Sequence, residues 1–484
     1  MKRFRNFTLF CLISFMALCL MPFVAGSQDI PHPSTYIPKL QTIEQHKKFY
    51  DDPRPYLKTY GPKQVVPPAL YQKLSYNVEE MKKEWSALVG FKAPDVVGKI
   101  APEIKPGKYT YKDVQNNAAF KKLLWPDLYN RIKPGGPPFV GSIPEFEVVP
   151  TRQYYWALPI AQATKENQGK TKLDGKGYLV PDSWISGYPF PKPSGNFKAQ
   201  QIMYNVEKRY LSYGLDFYLI GRVIGFNKSM KMDFDGQYQV RHARLAGRTQ
   251  AGPLGYLDDR AKNRGESKTF VMDFPAPRDI AGTAQSALYY ADPSKADMLM
   301  VYVPSMRRVR KMTSTDTQDP IMGMDQIYDD NEGWMQKLSP TRYPYKFEVV
   351  EEREFLVPAP TLDGAEYISK SGEFRNVKLE RRPLYVVKLT QLDRNYVYKY
   401  RLFYIDKETF NYYHVENYDW KDRLYRTWDG NYSFFPEMGT STWSGSFILM
   451  VDHIDQHSSV EQPYQLPAIW GRRDLSLEGY MGAK

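Results

Sequence analysis

Cysteine is almost missing from this 484-residue chain: Cys11 and Cys19 are the only two. Both lie in the first 26 residues, so the remainder has no disulfide, no thiolate metal site and no cysteine nucleophile. Long apolar runs are scarce as well. Phe7–Met21 is short for a membrane span of about twenty residues. Later runs such as Leu215–Phe226 are interrupted by Gly, Asp or Arg, so no transmembrane segment is expected after the first 26 residues. Catalytic signatures are missing too. Gly439-Thr-Ser-Thr-Trp443 lacks the final glycine of a nucleophile elbow, and Gly175-Lys-Gly177 lacks the third glycine of a dinucleotide loop. His453-Ile-Asp-Gln-His457 has metal-like spacing without the glutamate of a zinc helix, and reads as a solvated loop. The acids Asp325, Asp329, Asp330 and Glu332 do not follow calcium-loop order; they read as a solvated turn paired with nearby arginines. No catalytic residue, metal or cofactor is assigned. A glycosidase needs only two carboxylates, so a hydrolase stays open.

What is present begins with an export signal. Lys2, Arg3 and Arg5 precede the apolar stretch, Pro22 ends it, and Val24-Ala25-Gly26 supplies a cleavage site before Ser27. Leu18 before Cys19 is too large for a lipoprotein signal. The expected location is the periplasm. The net charge of +12 falls to +9 when the signal's three cations leave. For an exported basic protein the expected partner is an anionic membrane surface or head group rather than nucleic acid, with simple solubility as the alternative reading of the charge. Aromatics make up 15%, with 38 Tyr and 25 Phe, which favours strands and apolar linings with polar tips.

Along the chain, residues 27–195 read as a Pro-rich extension with helices. An extended arm (27–68) leads to a helix from Pro68 to Gly90, with Leu70, Leu74, Val78, Met81, Trp85 and Leu88 on one face. Thr110 to Asp113 resembles a capping box for a second helix reaching Pro126. Pro134–Pro138 is a loop, and a third helix fits Asn196–Tyr213. From Leu215 the period becomes two. Strands are expected at 217–226, 231–249, 268–274, 299–303, 307–312, 345–357, 384–392, 396–405, 410–418, 424–428 and 447–451, with turns at Asp235-Gly236, Asp292-Pro293 and Asp406–Thr409. Short links make an antiparallel meander, which must twist and curl. The expected domains are 1–26 (signal), 27–195 (extension) and 196–484 (sheet). The fold class is β-rich α+β: a large curved antiparallel sheet covered by helices.

Candidate ligand contacts come from two stretches. Tyr396, Tyr398, Tyr400, Leu402 and Tyr404 share one face of a strand and suit a lined concavity, although an ordinary core gives the same stripe. Arg307, Arg308 and Arg310 suit the rim, where a guanidinium fork can grip an anionic head group.

Several segments resemble one family. They are Trp184-Ile-Ser-Gly-Tyr-Pro-Phe-Pro-Lys-Pro-Ser-Gly195, the stretch Asp297 to Lys311 ending in Arg307-Arg308-Val309-Arg310-Lys311, and Gly323-Met-Asp325 with Asp329-Asp330. Tyr404-Ile-Asp406 and Tyr418 to Arg426 complete the set, though Asp422 and Tyr425 depart from the family's usual Gly and Trp. The family is the periplasmic domain of unknown function 1329, similar to the LolA and LolB lipoprotein carriers, over about residues 180–455. The resemblance implies a half-open barrel of LolA type with an apolar cavity for acyl chains. It also implies work with an inner-membrane transporter of the RND (resistance-nodulation-division) type and an outer-membrane β-barrel. The leading expectation is a non-catalytic carrier for a hydrophobic, lipid-like ligand. A scaffold or adaptor of an envelope complex and an envelope hydrolase are the alternatives.

Overall fold

Strand-forming residues dominate from Asp216 onward, and short turns return each strand beside its predecessor. A computed structural model describes residues 30–37, 61–135, 140–211, 216–250, 252–312, 316–321, 323–360, 367–368, 372–443 and 447–481. The export signal, most of the arm and residues 136–138 of the Pro-rich loop lie outside the described residues. The chain divides into the units Met1–Pro31 and His32–Lys484, and the elements below belong to the second.

Among the described residues its main sheet has 15 strands. They are β1 (Gly107–Thr110), β2 (Glu145–Val149), β3 (Asp216–Phe226), β4 (Met232–Arg244), β5 (Glu266–Ala276), β6 (Ala284–Tyr290), β7 (Met298–Val303) and β8 (Arg308–Met312). The rest are β9 (Tyr345–Pro358), β10 (Lys378–Gln391), β11 (Tyr400–Asp406), β12 (Tyr412–Tyr418), β13 (Leu424–Gly430), β14 (Ile448–Asp452) and β15 (His457–Pro467). The order is β1-β2-β10-β11-β12-β13-β14-β15-β3-β4-β5-β6-β7-β8, with β9 also paired to β10. Every pairing is antiparallel except the short one of β2 with β10. The sheet is thus two meanders, β3–β8 and β9–β15, joined where β15 pairs with β3 from Ser458↔Phe226 to Pro467↔Phe217. Among the described residues it does not close, and β8 pairs with β7 alone. The expected fold class holds: a large, open, mostly antiparallel sheet with helices packed on it.

Helices and second meander share one core. Met81, Trp85 and Leu88, then Phe120, Trp125, Trp156 and Ile202, pack with Phe403, Ile405, Val415, Trp428 and Val451. Burying each such side chain contributes about 1.5–3 kcal/mol. On the first meander, Trp470, Leu475, Leu477 and Tyr480 cover Ala243, Leu288, Val271 and Ala284. Alternation puts these strand residues on the face opposite His242 and Arg244.

Several expectations need correction. The first helix is two, Pro68–Lys73 and Val78–Val89, because Asn77 caps a new start by accepting from Glu80 N at 3.0 Å. The Thr110–Asp113 capping box is present, but its helix stops at Asn116. The third helix covers only Lys198–Glu207. Asp235-Gly236 lies within β4, opposite Ile224 and Val223, with Asp235 held by Arg222 at 2.7 Å. The turn sits earlier, where Asn227 Oδ1 accepts from Ser229 N and Lys231 N. The strand expected from Tyr396 begins at Tyr400, and its fully buried side chains are Arg401, Phe403, Ile405 and Asp406. β6 and β15 were not expected. β15 carries Pro463 and Pro467, which sit beyond Glu461, the last residue paired to β14, where the strand has one fewer neighbour to satisfy. β1 and β2 bring part of the extension into the main sheet.

Candidate functional site

Register builds a charged cavity on one face of the first meander. Lys268 of β5 stands directly opposite Arg244 of β4 and Tyr289 of β6; His242 stands opposite Phe217 and Phe270. Residues 242 and 244, like 268 and 270, point the same way. The chain leaving the helix Lys198–Glu207 and the segment 332–337 cover them, leaving a cavity of about 80 Å³. Through Tyr289 and Lys337 this cavity shares its lining with a cleft of about 310 Å³ that includes Leu299, Met312, Met335 and Tyr343. Through Trp184, Lys208 and Lys337 it shares lining with one of about 350 Å³ that includes Ile185 and Tyr256. Through Phe217, His242 and Glu332 it meets a pocket of about 40 Å³ walled by Leu219, Val240, Phe270, Trp428 and Ile448. Trp184, first residue of the sequence motif, is placed by Gly247: at φ +71 a Cβ there would lie 2.4 Å from the indole.

Cations in the cavity are not equally matched. Lys208 pairs with Glu207 at 2.7 Å, Arg209 with Glu332 at 3.4 Å, and Lys337 with Asp297 at 3.0 Å. Among the described residues the Arg244 guanidinium donates to backbone carbonyls alone, those of Lys208 (3.3 Å) and Arg209, and it lies 4.2 Å from the centre of the Tyr210 ring. Lys268 donates to the Met335 thioether at 3.0 Å and lies 4.7 Å from the Tyr289 ring centre. Burial pushes its ammonium down to about 8. Burial, with Lys268 and Arg244 adding to it, holds His242 well below its ordinary value. Its ring stacks on Phe217 at 4.6 Å, and its buried Nδ1 has no hydrogen-bond partner among the described residues.

The acidic stretch is not a solvated turn. Asp325, Asp329 and Asp330 are buried, carried inward by Ile327 and Trp334. Asp329 accepts from Tyr396 (2.9 Å), Gln336 (3.0 Å) and Tyr343 (3.2 Å), and burial pushes it up to about 6. Asp330 accepts from Tyr398 and Arg401, both at 2.6 Å. Asp325 accepts from His457 (2.7 Å) and Ser459 (2.6 Å). His453 instead meets Thr427 at 3.1 Å. Among the described residues no group of three or more His, Cys, Asp or Glu is arranged to hold a metal ion. Asp406 of the Tyr404–Asp406 motif serves the fold: it takes Arg382 Nε at 2.7 Å and caps its own turn.

The residues singled out from sequence are scattered. Tyr396 and Tyr398 are buried against the acidic segment and do not line the 310 Å³ cleft; Tyr396 touches Asp329 and Tyr343, which do. Tyr400 and Leu402 are half-buried on β11, Tyr400 stacking on Tyr418 at 4.4 Å. Arg307 adopts φ 50 after a Pro304–Met306 turn; it, Arg308 and Arg310 are exposed at the β8 edge. None of the three pairs with Asp325, Asp329 or Asp330, whose partners are given above, and none lines the clefts described. Lys311 and Met312 do line the 310 Å³ cleft. Sequence reasoning passed over Lys268, Arg244 and His242. His242 and Arg244 lie two apart in one polar-rich strand and Lys268 in another, and only register brings Lys268 to them.

Among the described residues no helix is long and apolar enough to cross a membrane. Among solved structures, the chain is similar to a DUF1329 family protein from Desulfovibrio piger, with 14% identity over 54% of this chain and 90% of that one and a TM-score of 0.38. It is also similar to a LolA superfamily protein from Nitrosomonas europaea, with 15% identity over 57% and 97% and a TM-score of 0.35. A search of curated proteins finds no match. The model of the family described as "Protein of unknown function (DUF1329)" matches residues 113–468, so the match begins well before residue 180. More than half of the chain lies within that model, and the protein belongs to the DUF1329 family.

Proposed function

We propose that this chain is exported to the periplasm and binds a hydrophobic, lipid-like ligand in the clefts of the first meander, as a carrier without catalytic chemistry. The supporting observation is the pair of clefts of about 310 and 350 Å³ that share lining residues with one charged cavity. Their size is at the lower end of small-molecule sites, about 300–1,000 Å³. Apolar burial at about 0.8 kcal/mol per CH₂ supplies the affinity. The exposed Arg307, Arg308 and Arg310 then meet an anionic membrane surface during delivery rather than the bound ligand. An RND-type inner-membrane transporter and an outer-membrane β-barrel are the partners on either side.

Organic extraction of natively purified protein followed by mass spectrometry tests the reading. A stoichiometric amphiphile is expected, and a protein that neither carries nor takes up any apolar compound refutes it. Intact mass should start the mature chain at Ser27. An adaptor role is the second reading, favoured by the outer side of β8, which pairs with no second strand among the described residues and so suits a partner strand.

A further inference from the structure

Two cations directly opposite each other on adjacent antiparallel strands repel. Arg244 and Lys268 hold that relation on a face covered by other chain segments, and among the described residues neither forms an ion pair; the acids whose charge reaches Lys268, namely Glu332, Glu207 and Asp297, are each paired with another cation. The neighbouring cations Lys208, Arg209 and Lys337 each hold one of these acids. A thioether is a weak acceptor, so among the described residues most of the donor capacity of Lys268 is unused. Arg244 commits only Nη2 to carbonyls. His242, two residues along the same face, adds an unpartnered ring nitrogen. A sequence breaks the rule against opposed like charges where something else fills the gap.

Resting on the carrier reading above, we propose that Lys268 and Arg244 together bind the carboxylate of a single-chain amphiphile. The head group occupies the cavity of about 80 Å³, and the chain runs along the adjoining clefts. One water needs about 10–15 Å³ of such space, so the cavity takes a carboxylate and a few waters. A glycerophosphate carrying two chains does not fit it. The apolar wall formed by Leu219, Val240 and Phe270 beside the cavity favours an amphiphile over a free inorganic anion.

Calorimetric titration of the purified, delipidated chain with laurate, methyl laurate, dodecyl phosphate and acetate tests this. Laurate should bind about 30-fold tighter than methyl laurate, the effect of a charged hydrogen bond. Lys268→Met should bring the two within about threefold, while Lys268→Arg keeps the preference. Lys268→Met should also raise the unfolding temperature of the ligand-free chain, because it removes a repulsion; a purely structural lysine would lower it. Equal binding of laurate and methyl laurate by the parent overturns the carboxylate site and leaves the carrier reading standing. The site is likewise overturned if Lys268→Met keeps the preference, if dodecyl phosphate binds more tightly than laurate, or if acetate binds as well as laurate. Binding of none of the four, with no apolar compound extracted, overturns both readings.

Discussion

The two meanders treat buried charge differently. In the second, each deep arginine has its acid: Arg382 lies against Asp406 and Glu408 at 2.7 Å, Arg401 against Asp330 at 2.6 Å, and Arg426 against Asp452 at 3.0 Å. Large aromatics seal these pairs in a filled core. In the first, Arg222 has Asp235 at 2.7 Å, but Arg244 and Lys268 stand opposed on adjacent strands beside a cavity, where burial holds His242 well below its ordinary value. A closed region satisfies its own charges. A region that leaves like charges opposed, beside open space, is arranged for something that arrives later.

Truncation should break the comparison most severely. A chain starting at Asn196 loses Trp85, Trp125 and Trp156, all fully buried against the second meander, together with β1 and β2. We expect no cooperative thermal transition by circular dichroism. A soluble fragment with a sharp transition would show that the second meander closes unaided.

Single charges should then separate the halves. Arg382→Met strands Asp406 and Glu408 without their cation, and should cost about 3–5 kcal/mol in urea unfolding. Lys268→Met should have the opposite sign. Similar losses from both would erase the distinction.

Acidity offers a gentler contrast. Burial works against charge on His414, but Asp429 at 2.8 Å outweighs it and holds the imidazole up at about 10, against 6.5 unfolded. Its stabilisation is complete below pH 6.5 and is lost as pH rises towards 10. Lys268 is pushed down to about 8, against 10.5 unfolded. Its penalty is complete below pH 8 and is relieved as pH rises towards 10.5. Urea midpoints across pH 6–10 should therefore decline less steeply in His414→Gln, and lose an upward component in Lys268→Met.

The smallest effect belongs to the β8 edge. Arg308→Ala and Arg310→Ala should change stability by no more than about 0.5 kcal/mol, since both side chains are exposed. Binding to phosphatidylglycerol vesicles at low salt should weaken, and the difference should vanish at high salt. Unchanged vesicle binding would remove the membrane-surface role.

Much of the fold was readable because its causes are local. Alternation marked most strands, the Thr110 and Asp113 pair marked a helix start, and Asp406 marked the turn it caps. The acidic stretch was misread because nothing local shows that Ile327 and Trp334 draw Asp329 and Asp330 inward to Tyr396, Tyr398 and Arg401. β15 escaped notice because prolines argue against a strand; only its pairing with β3 makes room for them.

The sequence by itself determined the strand-rich class, the absence of cysteine beyond residue 19, the basic charge and the family motifs, because each follows from composition or from neighbours within a few residues. Tertiary structure alone decided which charges meet. A shift of one residue between β4 and β5 would part Arg244 from Lys268 and turn one of them to the other face, because side chains alternate along a strand. That register is set by packing along the whole sheet, between residues far apart in the chain.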